Sequence, residues 1–76
     1  MDSDKLEAFF SLKPNEKLCC VIEDEKVILH TNFVIDVYQI GLFCGKFNLK
    51  LISSKHYIFE DYINMTSKEN IKYVFE

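Results

Sequence analysis

The residues with chemical capacity in this sequence are three cysteines, two histidines and two acidic clusters. Cys19 and Cys20 are adjacent, and Cys44 lies far along the chain. Structural metal sites are built from local pairs such as C-x-x-C. Neighbouring residues on a strand point to opposite faces, so at most one of Cys19 and Cys20 can join a site with Cys44, His30 or His56. Buried free thiols acting as small apolar side chains are the expectation. His30 and His56 are widely separated, and no Ser or Cys sits in a nucleophile motif. With only two glycines there is no phosphate-cradling loop. Glu23-Asp24-Glu25 reads as a solvated turn, since a divalent cation needs more oxygen ligands on a defined loop. Glu60-Asp61 reads the same way, or as a complement to a basic partner. The chain is therefore expected not to be an enzyme, with no catalytic residue, no metal and no cofactor.

Charge narrows the partners. Nine basic residues face 12 acidic ones, for a net charge of −3. All nine are lysines, so the chain lacks the side chain best suited to bidentate phosphate and guanine contacts. The lysines are scattered along the sequence, which suggests a mixed, solvated surface rather than a basic footprint. Hydrophobic residues make up 49% of the chain, too many for intrinsic disorder. No apolar run approaches the roughly 20 residues of a membrane span. Met1-Asp2-Ser3-Asp4 is acidic where a secretory signal is basic, and an odd cysteine count suits a reducing compartment. A cytoplasmic or nuclear product without membrane contact is expected.

The elements that must position these residues follow from periodicity. One domain is expected over residues 1–76. Asp4 to Leu12 reads as a short helix, capped by Ser3 or Asp4, with Leu6, Phe9 and Phe10 on one face, ended by Pro14 and Asn15. A β pattern is expected over 17–75. Leu18–Ile22 and Val27–Leu29 flank a charged break. A hairpin about Asp24-Glu25 pairs Glu23 with Lys26 and Ile22 with Val27, although it lacks the Gly or Asn favoured in tight turns. Residues 33–44 are ambiguous: Asn32 and Gly45 suit helix ends, but Val34, Ile35, Val37 and Ile40 are β-branched and favour a strand, bent near 36–41. Phe47 to Leu51 alternates as a strand. Ser53-Ser54-Lys55 reads as a turn, Tyr57–Ile63 as a strand, Thr66–Glu69 as a polar break, and Asn70–Phe75 as the last strand. Thr66 and Glu69 also fit a capping box, with a terminal helix as the alternative. The sum is a mainly β fold: a short N-terminal helix, then a five-stranded, strongly bent antiparallel sheet or small partly open barrel.

This order resembles the Sm/LSm family. Lys5-Leu6-x-x-Phe9-Phe10 is similar to its N-terminal helix, Glu16 to Asp24 to its first strand and turn, Asp36 to the Asp of the first Sm motif, and Asn70 to Val74 to the end of the second. In the family an Asn reads the uracil edge and an Arg stacks on the base. Here Ile40 falls near the first position and Ser67-Lys68 near the Arg-Gly pair. The resemblance thus implies an Sm-like shell without the uridine site, as in the Sm-fold Gemin subunits of the survival-of-motor-neuron complex, which are assembly scaffolds.

Three functions follow as expectations. The first is a non-catalytic Sm-like scaffold for ribonucleoprotein assembly, of the kind that serves splicing. It would pair exposed edge strands with another Sm-like chain by β-augmentation, through Ile58, Tyr62 and Ile63 on one edge and Ile71, Tyr73 and Phe75 on the other. The second is an RNA-binding ring subunit, with Lys50, Lys55 and Lys68 on phosphates and Tyr57 as a stacking platform; the acidic balance and the missing motif residues weigh against it. The third is a small intracellular inhibitor or adaptor of β-rich structure, of viral or other AT-rich origin, as the Lys, Ile, Phe, Asn and Tyr bias suggests.

Overall fold

The chain is described by a computed structural model that covers the backbone of residues 2–61 and 66–76 and the side chains of 2–57 and 70–76. The element order is α1 (Ser3–Ala8), β1 (Leu18–Glu23), β2 (Lys26–Thr31), α2 (Val37–Phe47), β3 (Leu51–Asp61) and β4 (Thr66–Phe75). The strands form one open antiparallel sheet in the order β1-β2-β4-β3. The fold is mainly β with a short N-terminal helix, as the sequence predicts, but the described residues form four strands rather than five, in an open sheet.

The first hairpin has the predicted register, with Glu23 opposite Lys26 and Ile22 opposite Val27. Its two turn residues, Asp24 and Glu25, both take positive φ, 51° and 62°. Two left-handed residues make a turn whose twist matches the flanking strands. Asp and Glu fill it here without the glycine that would adopt it freely.

The largest correction concerns residues 33–44, where a bent strand was expected. Instead α2 spans Val37–Phe47. Asp36 caps it, its Oδ1 accepting the Tyr38 N–H at 2.7 Å. Asn48, at φ 54° and ψ 48°, stops it in the left-handed conformation, its N–H donating to the Cys44 carbonyl. Local β preference loses because Phe43, on the inner side of this helix, is fully buried against the sheet. Its ring centroid lies 5.0 Å from Phe75, 5.1 Å from Phe10 and Phe47, and 5.5 Å from Phe9. The expected strand from Phe47 to Leu51 is thereby replaced: Phe47 closes α2, and β3 begins at Leu51.

Three smaller corrections follow. The N-terminal helix ends at Ala8, not Leu12. Ser53-Ser54-Lys55 is not a turn but part of β3, just past a register shift between Leu51 and Ser53, where Ile52 is the extra residue of a bulge. Thr66–Glu69 is neither a break nor a helix but the opening of β4. The strand expected over Tyr57–Ile63 is found to Asp61; Tyr62 and Ile63 lie outside the described residues.

Among the described residues, one face of the sheet is covered and the other is not. Val27, Leu29 and Thr31 of β2 and Ile71, Tyr73 and Phe75 of β4 are buried together with Leu6, Cys20, Ile35 and Phe43 beneath the helices. The opposite face carries Cys19 and Val21, Ile28 and His30, Asn70, Lys72 and Val74, and Lys55 and Tyr57, by the alternation of the strands.

Candidate functional site

An open sheet has two edges, and their chemistry differs. On β1 the turn closes on the Glu23–Lys26 pair, so the hydrogen-bonded pairs with β2 fall at residues 19, 21 and 23. Leu18, Cys20 and Ile22 then turn their peptide groups away from the sheet. That edge is blunted by α1, which packs beside β1 and sends Glu7 across: its Oε1 accepts the Cys20 N–H at 2.7 Å. At the start of the strand, on the side facing β2 and not the edge, Asn32 Oδ1 accepts the Lys17 N–H at 2.8 Å. A side chain that occupies an edge N–H is a recognised way to block strand addition.

On the β3 edge no side chain of the described residues accepts the Ser54 N–H as Glu7 accepts that of Cys20. Lys50 and Glu76 exchange both backbone hydrogen bonds at 2.9 Å. With the bulge at Ile52, the alternation then puts the bonded pairs with β4 at Ser53–Val74, Lys55–Lys72 and Tyr57–Asn70. Ser54 and Ile58 therefore turn their peptide groups away from β4, toward the side of β3 that no described strand occupies. Pairing of β3 with β4 also outruns the rest of the sheet. β2 makes its last pair at Thr31–Ile71, whereas β3 and β4 continue to Asp61–Thr66. The result is a two-stranded arm, and such ribbons are marginal in water without further packing.

The uncovered face adds charge. Across β2, β4 and β3, His30, Lys72 and Lys55 stand in one cross-strand row that starts at Cys19 of β1. Lys72 and Lys55 are direct partners, an arrangement that repels. Among the described residues no carboxylate forms an ion pair with any of the three. The Lys55 ammonium lies 5.2 Å from the centroid of the Tyr57 ring. Beside this row is an open groove of about 530 Å³ lined by Lys17, Cys19, His30, Asn32 and Asn70. A smaller one of about 250 Å³ shares His30 and Asn70 and reaches Tyr57 and Lys72. The next row, Val21, Ile28 and Val74, is apolar.

The sequence-predicted residues divide accordingly. Ile71, Tyr73 and Phe75 are not on an edge: β4 is paired on both sides and all three are buried in the core. They filled the apolar slots of a central strand, which in sequence looks the same as an apolar edge. Ile58 does lie on the open strand, opposite Glu69. Lys55 and Tyr57 share the uncovered face. Lys50 is exposed at the foot of β3, and Lys68 lies opposite Phe59 in the arm. Sequence reading did not bring His30 and Lys72 together with Lys55, and its picture of scattered lysines does not hold on this face. Lys55 and Lys72 are remote in sequence and become direct neighbours only through the sheet register.

Cys19 and Cys20 point to opposite faces as expected, but of the three thiols expected to be buried only Cys20 is: Cys44 is half-buried and Cys19 is exposed, because it lies on the uncovered face of the sheet. Burial, and then the nearby Glu7 carboxylate and Cys19, push the Cys20 thiol up from 9.0 to about 11. Among the described residues no group of three His, Cys, Asp or Glu side chains is placed to hold a metal ion, and no helix is long and apolar enough to cross a membrane.

Comparison of the chain with protein-family models, with curated proteins and with solved structures returned no match.

Proposed function

We propose that this chain is a non-catalytic interaction module that binds another polypeptide by strand addition at the outer edge of β3, the last strand of the described sheet. The observation that carries this reading is the asymmetry of the two sheet edges: β1 is stoppered by Glu7 and α1, while β3 is paired on one side only and runs on into the arm. Main-chain hydrogen bonds from residues such as Ser54 and Ile58 supply the pairing, and alternate side chains select the partner. Given the resemblance in the sequence, the first partner to test is a strand of an Sm-like chain in ribonucleoprotein assembly.

The test is a proline at Ser54. Its N–H points away from β4, so proline removes no ladder bond and is of the kind edge strands tolerate. The Ser54→Pro chain should keep its circular dichroism spectrum and urea midpoint and lose its partner, identified by cross-linking at Lys55 and mass spectrometry of the native complex. If the purified chain is a monomer that cross-links to nothing, or if Ser54→Pro binds as wild type does, strand addition at β3 is wrong.

A second reading draws on the uncovered face. Lys55 and Tyr57 sit there with Lys72, His30 and Asn70, which together offer phosphate contacts, a ring and an amide to single-stranded RNA. Filter binding of oligouridine at low salt tests it, and no retention removes it.

A further inference from the structure

The cationic row ends at the open edge, and this bears on what pairs there. His30, Lys72 and Lys55 are successive members of one cross-strand row, and Lys55 is its last residue. A strand added to β3 extends the row by one position. Because Ser54 and Ile58 would bond to the newcomer, Lys55 and Tyr57 would face it in the non-bonded positions, where opposing side chains approach most closely. A neutral residue opposite Lys55 would leave the repulsion between Lys55 and Lys72 in place, a basic one would add to it, and an acidic one would offset it. Opposite Tyr57, two residues along, an aromatic or β-branched side chain fits the ring.

Building on the strand-addition reading, we propose that the β3 edge selects an acidic strand: a partner segment with Asp or Glu opposite Lys55 and an aromatic or β-branched residue two positions away, opposite Tyr57. Charge complementarity supports this occupant over nucleic acid. The chain carries 12 acidic residues against nine basic ones and contains no arginine, whereas the local cationic row needs to meet only one or two carboxylates. A second copy of this chain fits less well, because antiparallel pairing of two β3 strands through this segment would bring a second Lys55, backed by its own Lys72, to the paired sheet.

The experiment is selection of random displayed peptides on the intact chain, followed by amide hydrogen exchange of β3 with the enriched peptides synthesised singly. Enriched peptides should share an acidic residue spaced two from an aromatic or β-branched one, and should slow exchange at the Ser54 amide. Replacing the acid by its amide should weaken binding about two- to fivefold, in line with opposite-charge cross-strand pairs, and added salt should erase that difference. Lys55→Glu should redirect the selection to basic peptides, and Lys55→Gln should abolish the charge preference. Protection of Ser54 without any charge preference overturns the acidic-strand proposal and leaves strand addition intact. Binding without protection of β3 amides, or no binding peptide at all, overturns both. Retention of oligouridine that is lost on Lys55→Gln and not displaced by the β3 peptides assigns the row to nucleic acid and overturns the proposal.

Discussion

The Tyr73 hydroxyl accepts the N–H of Ile35 at 3.0 Å inside the core. Its ring lines the buried face of β4 while its oxygen holds the loop between β2 and α2. Tyr73→Phe keeps the ring and orphans a buried N–H, a change that costs about 1–3 kcal/mol. We expect a lower urea midpoint with little change in the circular dichroism spectrum; an unchanged midpoint would show that the hydroxyl carries no load. Cys20 yields a second prediction. Its thiol is raised from 9.0 to about 11 by burial, Glu7 and Cys19. In that pH window the unfolded chain has lost a proton that the folded chain keeps, so stability falls as pH rises. The stabilisation is fully present below 9.0 and fades toward about 11, by on the order of 2 kcal/mol. Urea titrations across the window should show a downward slope attributable to this thiol that Cys20→Ala lacks. Cys19 should alkylate readily throughout and Cys20 should not.

At the scale of elements, α2 is the most informative. Its outward side is unusually apolar, with Val37 84% and Tyr38 71% exposed. Gly41 and Gly45 lie within the helix, and a Cβ at either would meet nothing within 4 Å. Neither glycine takes positive φ, so no contact among the described residues requires them. Gly41→Ala with Gly45→Ala should therefore raise stability by about 1–2 kcal/mol, read as a higher thermal midpoint; a fall would mean that something outside the chain approaches those positions closely. The same helix marks the limit of reading residues 33–44 locally. Val34, Ile35, Val37 and Ile40 argue for a strand, and the helix forms because Asp36 and Asn48 cap it and Phe43 is buried among four other phenylalanines. The first hairpin was legible in full, because a two-residue turn leaves one register that pairs Glu23 with Lys26.

For the whole molecule, the decisive feature is which sheet edge is closed, and Glu7 closes the one at β1. Glu7→Ala should free the Cys20 N–H, cost about 1.5–3 kcal/mol as a charge-assisted bond is lost, and make the chain self-associate through β1 with rising concentration. Glu7→Gln retains an acceptor oxygen and should stay dispersed; light scattering of the two variants separates these outcomes. The sequence by itself determined the elements whose signals are local: the opening helix, the first hairpin with its register, and the alternation that sets Cys19 and Cys20 on opposite faces. Each depends on residues a few positions apart, so periodicity and turn chemistry suffice. The tertiary structure alone decided that β4 inserts between β2 and β3, which buries Ile71, Tyr73 and Phe75, leaves β3 with an open side, and sets Lys72 against Lys55. Strand order is a choice among long-range pairings with similar apolar patterns. It is settled by how the phenylalanine cluster packs between helices and sheet, and that packing energy is not written in any single segment.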